Sequence, residues 1–272
     1  MRKNIILTVI SLFMVLTLFV GCSSQKVDEK NVVSKEKIEV AVKNVLLDES
    51  NTYIKESDGT ECPVEGHIIM GYDKTKSGYK VYALTLCGAY GFENGNFVFI
   101  SGTGLIPAVI SFDDELNFND IEYPKDGADY SKSIKKMFPK KYESRALAYS
   151  ESDVDELEKQ KNYYAEKYLI EIGRDAKIGE HIDFNDSYKL LTDVGVSVDV
   201  SNLLSETLQK YSSDYYPYWI GNKEIIKDTV RYVLSQNYDS ENNKIIYTKS
   251  VYDTKEVVEE FVFDSKTGLE IK

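Results

Sequence analysis

Apolar residues along this chain fall into three patterns. From Ile5 to Val20 they dominate a run without charge, interrupted only by Thr8, Ser11 and Thr17. Between Ser34 and Asp48 they recur at steps of three and four, with Ile38, Ala41, Val42, Val45 and Leu46 on one stripe, which predicts an amphipathic helix. A block of short β-branched and aromatic runs follows, over His67–Tyr72, Tyr79–Leu86, Asn96–Ser101 and Ala108–Phe112. Glycine turns at Gly88, Gly91, Gly95, Gly102 and Gly104 punctuate it. Short consecutive strands with tight connections predict an antiparallel meander.

From Tyr130 the spacing turns helical again, with a break at Pro139. Ser152 and Asp155 form a capping-box pattern that would open a helix over Asp153–Ile172, stopped by Gly173. Val154, Leu157, Tyr164, Ala165, Tyr168 and Ile172 would make its inner face, with Lys167 and Glu171 on a solvated outer one. The last ninety or so residues predict a short helix over Asn202–Tyr211, with Leu203, Leu204, Thr207, Leu208 and Tyr211 on one side. Three strands then follow at Thr229–Tyr238, Lys244–Tyr252 and Val257–Asp264, joined by hairpins. The class is α+β: antiparallel meander sheets packed with amphipathic helices. A boundary near Gly179 would give two subdomains, residues 34–179 and 180–272.

The uncharged first run carries Arg2 and Lys3 in front of it and turns polar at Ser23. Its sixteen residues reach only about 24 Å as a helix, against roughly 30 Å of bilayer hydrocarbon, so the pattern is that of a secretory signal. The end, Leu18-Phe19-Val20-Gly21-Cys22, resembles a bacterial lipobox. That resemblance implies a signal peptide over residues 1–21, lipidation of Cys22, a polar tether over 22–33, and a lipid-anchored protein on the outer face of the cell membrane.

Composition narrows the partners. Removing residues 1–21 leaves 251 of the 272 residues and moves the formal net charge from −12 to −14. Such an acidic chain is not built for nucleic acid or for adsorption to anionic lipid. Membrane attachment would rest on the covalent lipid. An apolar fraction of 42% is enough for a folded core despite the charge.

Once Cys22 is lipidated, two cysteines remain, Cys62 and Cys87, a disulfide candidate in an extracytoplasmic setting. If Val64–Tyr72 and Tyr79–Cys87 pair with Tyr72 facing Tyr79, Cys62 lies one diagonal step from Cys87 on the same face. The separation is then about 7 Å, a bridge only if the strand end bends. The other reading is two small buried hydrophobes.

Catalytic patterns are scarce. His67 has no partner histidine at helical spacing, and His181 has neighbouring carboxylates but no third ligand, so both read as strand or surface histidines. Gly102-Thr103-Gly104 is followed by Leu105-Ile106-Pro107, which reads as a turn rather than a dinucleotide loop. Asp113-Asp114-Glu115 reads as a solvated loop ahead of a calcium site. No catalytic residue, metal ligand or cofactor is assigned.

Aromatic residues are the remaining signal. Tyr215-Tyr216-Pro217-Tyr218-Trp219 surrounds one proline with four rings and holds the only tryptophan. Tyr216, Tyr218 and Trp219 are the candidate binding residues, since flat rings on a loop can stack on sugars or anchor a partner. The competing reading makes them a plug between helix and sheet.

Several stretches together resemble a group of lipoproteins from Gram-positive, clostridium-like bacteria: Tyr90–Gly104, Lys132–Pro139, Tyr216–Gly221 and Tyr247–Phe263. Similar modules occur as extracytoplasmic tails of membrane metallopeptidases of the beta-lactam-sensor type. The shared motifs are structural, and the peptidase zinc helix is absent from this sequence. The resemblance implies a sensing or binding role outside the cell. The expected function is a lipid-anchored module that recognises an envelope protein, a glycan or a membrane partner; the alternative is a cell-envelope hydrolase or its accessory subunit.

Overall fold

The computed structural model describes residues 33–271. The expected signal peptide, Cys22 and the tether up to residue 32 lie outside the described residues. Lys35–Lys272 belong to one compact unit. The class is α+β, as the periodicity predicts: helices pack on an eleven-stranded sheet that is antiparallel except for one short pair.

The first helix, α1, spans Lys35–Ser50 and buries Ile38, Val42, Val45 and Leu46. Two long strands follow, β1 (Thr60–Thr75) and β2 (Gly78–Glu93), then β3 (Asn96–Gly102), β4 (Ile106–Phe112) and β5 (Phe118–Glu122). Three helices come next: α2 (Tyr130–Met137), α3 (Lys140–Leu147) and α4 (Glu151–Glu171). The chain then makes two short strands, β6 (Ile178–Glu180) and β7 (Lys189–Leu190), and helix α5 (Val198–Tyr211). It finishes in a meander of β8 (Trp219–Lys227), β9 (Val230–Asp239), β10 (Lys244–Val251) and β11 (Val257–Asp264).

β2 is the spine. β1, then a single residue of β8, pair along one side of it; β4, then β3, pair along the other. Of its sixteen residues only Lys80 is exposed, because helices cover both faces. Even-numbered positions meet α2, α3 and α4: Tyr82 packs on Phe138 and Tyr142, and the Tyr90 hydroxyl donates to Asn162. Odd-numbered positions meet α1, where the Cys87 thiol approaches the carbonyl of Leu46 at 3.5 Å. Gly66 of β1 lets α4 come close, since a Cβ there would sit 3.0 Å from the carbonyl oxygen of Leu157.

That two-sided arrangement corrects the disulfide. The β1–β2 loop is only Lys76-Ser77, with Thr75 opposite Gly78, and β1 carries irregularities near Cys62 and Met70. The register therefore differs from the expected one. Glu65, not Val64, faces Cys87, and Cys62 faces Tyr90, three residues further along β2. An odd offset puts the two thiols on opposite faces. Both cysteines are free and buried. Cys62 lies beneath α4, near the carbonyl of Tyr164, and Cys87 beneath α1. Burial pushes each thiol up to about 12.

Two helix expectations also shift. The capping box of α4 is Ser150 with Asp153: the Ser150 hydroxyl accepts from the Asp153 N–H, and the Asp153 carboxylate accepts from the Ser150 N–H at 2.9 Å. The buried stripe is Asp153, Leu157, Lys161, Ala165 and Leu169, with Val154 exposed. On α5 the buried stripe is Val200, Leu204 and Leu208, whereas Leu203 and Tyr211 face out.

Gly179, the expected boundary, lies inside the compact unit, on β6 beside Val98 of β3. Apolar clusters nevertheless collect on either side of a polar joint. One gathers Cys62, Val64, Tyr90, Phe92 and Phe97 with α4; another gathers the inner residues of α5 with Ile245, Tyr247 and Phe263. Between them the sheet continues through the single pair Glu93–Lys223. Buried charges supply the rest. Arg174 forks onto Glu224, and Arg231 forks onto Glu61 while touching Glu224. Lys223 donates to the carbonyl of Ser57 at 2.7 Å.

Candidate ligand-binding cleft

Three segments converge to shape a cleft of about 300 Å³: the outward end of α5, the loop Ser212–Tyr218, and the centres of β9 and β10. Ser197 opens α5 by accepting from the Val200 N–H at 3.3 Å. The buried stripe at i, i+4 and i+8 then fixes the helix over Ile245, Tyr247 and Phe263. After Tyr211 the chain leaves the helix and runs back across the sheet to begin β8 at Trp219.

The loop is tied down at three points. Asp214 accepts from Lys249 at 2.6 Å through one carboxylate oxygen and from Lys227 at 3.2 Å through the other. Ser212 and Tyr216 both donate to Glu259 of β11, at 3.2 and 3.3 Å. The Tyr216 ring meets Tyr247 edge-on at 5.6 Å between centroids. Burial alone would favour the protonated acid at Asp214, but the ammonium groups of Lys249 and Lys227 outweigh it and hold this carboxyl below the usual aspartate range. Burial, with Glu259 beside it, raises the Tyr216 phenol.

The three candidate binding residues separate by role. Tyr218 is 73% exposed and lines the cleft. Tyr216 is half-buried, lines the cleft and serves as a loop anchor through Glu259. Trp219 is 3% exposed, which removes it as a contact surface and corrects that expectation. It is wedged edge-on against Tyr188 at 5.1 Å and Tyr218 at 4.9 Å, so it buttresses Tyr218 from below. The sequence placed these rings together; the register decides which of them faces out.

Two residues of the site were not read from the sequence, Asp214 and Gln236. Gln236 is 2% exposed, lines the cleft, and lies in the ladder between Gly221 of β8 and Tyr247 of β10. Its amide nitrogen has no hydrogen-bond partner among the described residues, and neither does the indole nitrogen of Trp219. Trp219 is two residues before Gly221, so both orphaned donors sit on the sheet face that α5 covers. Buried donors without partners are rare and cost on the order of 1–3 kcal/mol each. A lone glutamine in a strand carries no sequence signal of this kind.

A second polar cluster joins α1 to β1. His67 Nδ1 lies 2.7 Å from Glu65 and Nε2 lies 3.0 Å from Glu39 of α1, while Tyr164 of α4 donates to the other oxygen of Glu65. Burial opposes charge on His67, but the two carboxylates outweigh it and raise the imidazole above its ordinary value. Tyr164 is raised by burial and by Glu65. Every member already has a partner, so the cluster acts as a clamp. His181 pairs similarly with Glu93 at 2.8 Å, and Tyr188 donates to the same oxygen. Asp113 spends its carboxylate on Glu115 and Asn117 within its own turn, and no group of metal-ligating side chains gathers among the described residues.

No family model matches the chain, and neither a curated protein nor a solved structure matches it. Among the described residues no helix is long and apolar enough to cross a membrane.

Proposed function

We propose that this protein is a lipid-anchored, extracytoplasmic binding or sensory module, and that the cleft under Tyr216 and Tyr218 is where it recognises an envelope component or membrane partner. The observation that carries the reading is the orphaned Gln236 amide at a cleft whose rim is a braced, exposed tyrosine. A buried donor left unmade within the fold costs stability, and a ligand acceptor is the natural partner for it. The signal pattern and lipobox resemblance at Cys22 support the location, and the resemblance to clostridium-like lipoproteins supports a sensing role.

A hydrolase would need a carboxyl held protonated near neutrality to act as general acid. Asp214, the carboxylate of this cleft, is driven the opposite way by two lysines. The alternative therefore gains no support from the site.

The test is crosslinking of the full anchored chain in cells, with mass spectrometry of what is captured. A specific envelope component held by the wild type and lost in Tyr218→Ala supports the reading. Capture that ignores Tyr218, or the absence of any specific partner, overturns it. Cys22→Ala should accumulate precursor and lose the stable anchor; normal processing and release in the wild type would refute the anchor.

A further inference from the structure

We infer that the cleft takes an uncharged, hydroxyl-rich ligand, a saccharide of one or two rings. The inference rests on the binding-module reading above and gives it a substrate class. Charge comes first. Asp214 is the only charged residue lining the cleft among the described residues, and Lys249 and Lys227 occupy both of its oxygens. An anionic ligand finds no cation on the lining among the described residues, and a cationic one finds a carboxylate already neutralised. Neither has anything to repay its desolvation.

Hydrogen-bonding capacity comes second. Gln236 lines the cleft, and its buried amide N–H has no partner among the described residues. The Tyr216 hydroxyl already donates to Glu259, which leaves its oxygen to accept. Ser201 and Ser205, one turn apart on α5, line the same wall and can do either. A lining that mixes donors and acceptors suits groups that are both at once, and hydroxyls are such groups. Shape comes third. Tyr218 presents an open ring, fixed from beneath by Trp219 at 89°, and the C–H face of a pyranose packs on a flat ring. The volume, about 300 Å³, lies at the small end of ligand pockets.

The molecule contains its own reporter, since Trp219 is the sole tryptophan and touches Tyr218. The experiment is a fluorescence titration of the full chain in detergent with maltose, cellobiose and the disaccharide of N-acetylglucosamine at millimolar concentration. Glucuronic acid and glucosamine serve as charged counterparts. The expected result is a saturable change in Trp219 emission with at least one neutral disaccharide. Affinity should weaken roughly tenfold or more in Tyr218→Ala and in Gln236→Met, with the sugar-free thermal midpoint no lower than in the wild type. If Gln236→Met does not fold, Tyr218→Ala, altered at an exposed ring, carries the comparison alone.

No saturable change with any neutral disaccharide overturns the inference. So does a response that survives both substitutions, or a preference for the charged sugars. Should Tyr218-dependent capture in cells persist without sugar binding, the saccharide falls and the binding module stands. Sugar binding without such capture supports the saccharide and removes the partner reading.

Discussion

Asn94 and Asn222 exchange two hydrogen bonds across the narrowest point of the sheet. The backbone N–H of Asn94 donates to the Asn222 carbonyl at 2.9 Å, and the Asn222 N–H donates to the Asn94 side-chain oxygen at 2.8 Å. The Asn94 amide nitrogen continues to the carbonyl of Ser187 at 2.8 Å. Asn94 sits at φ 50° with Gly95 at 76°, the left-handed pair that a tight hairpin of this type requires. The β2–β3 turn is thereby also the stitch that holds β8.

Gly221 lies beside that stitch at φ +149°, where a Cβ would come within 2.1 Å of the Asn94 oxygen. Gly221→Ala combines backbone strain with a clash and should cost about 3 kcal/mol. A thermal melt should show a midpoint lowered by roughly 6–12 °C. An unchanged midpoint would mean that the stitch does not constrain β8.

His67 should make the fold pH-dependent. Its folded pKa is raised, so its contribution is fully present below the ordinary histidine value of about 6.5 and drains away as pH rises through the folded value. Unfolding by urea across the neutral and mildly alkaline range should show wild-type stability declining. His67→Gln, which keeps hydrogen-bonding groups without the charge, should flatten most of that decline. His181, raised in the same sense by Glu93, accounts for a smaller remainder because its side chain is 43% exposed.

Asp153 acts at the other end of the pH scale. Arg145, the largest influence, together with the Ser150 N–H and hydroxyl, lowers it to about 2. Its stabilisation is present above the ordinary aspartate value of about 3.9 and is lost as pH falls toward the folded one. Asp153→Asn should blunt the acid-induced loss of stability in that window. Ser150→Ala should cost about 1 kcal/mol, and Ser152→Ala less than half as much. Equal losses would return the cap to Ser152.

The thiols of Cys62 and Cys87 should be inert in the native state, since both are buried with pKa pushed up to about 12. Ellman's reagent should leave both untouched until denaturant is added, even after aerobic purification. Their positions on opposite faces of the β1–β2 hairpin keep mild oxidants from joining them. A peptide map showing Cys62 bonded to Cys87 would contradict the register.

Much of the fold is written locally. The stripe of α1, the β2–β3 turn at Asn94-Gly95, and β9 to β11 all follow from spacing and turn residues, and the observed β11 spans the predicted Val257–Asp264. What the sequence hides is charge placed inside. β8 was missed because its buried positions include Lys223 and Glu224, whose partners Ser57, Arg174 and Arg231 come from other elements. Lys161 likewise looks like a surface residue but is 1% exposed, paired with Glu158 and Glu180 over the Phe99 ring. At the cleft, the tyrosine run was legible as a cluster. Gln236 became meaningful only once the ladder put its amide beneath α5 with no partner among the described residues.

The polar joint has a mechanical meaning. An apolar contact between two halves tolerates sliding, because its attraction hardly depends on direction. Paired guanidinium forks accept one orientation, and the two here run in opposite senses: Arg174 reaches forward to Glu224, while Arg231 reaches back to Glu61. The joint is a latch with two tongues: turning the cleft-bearing meander away means breaking directional, charge-assisted bonds at Glu224 and Glu61 rather than sliding an apolar face.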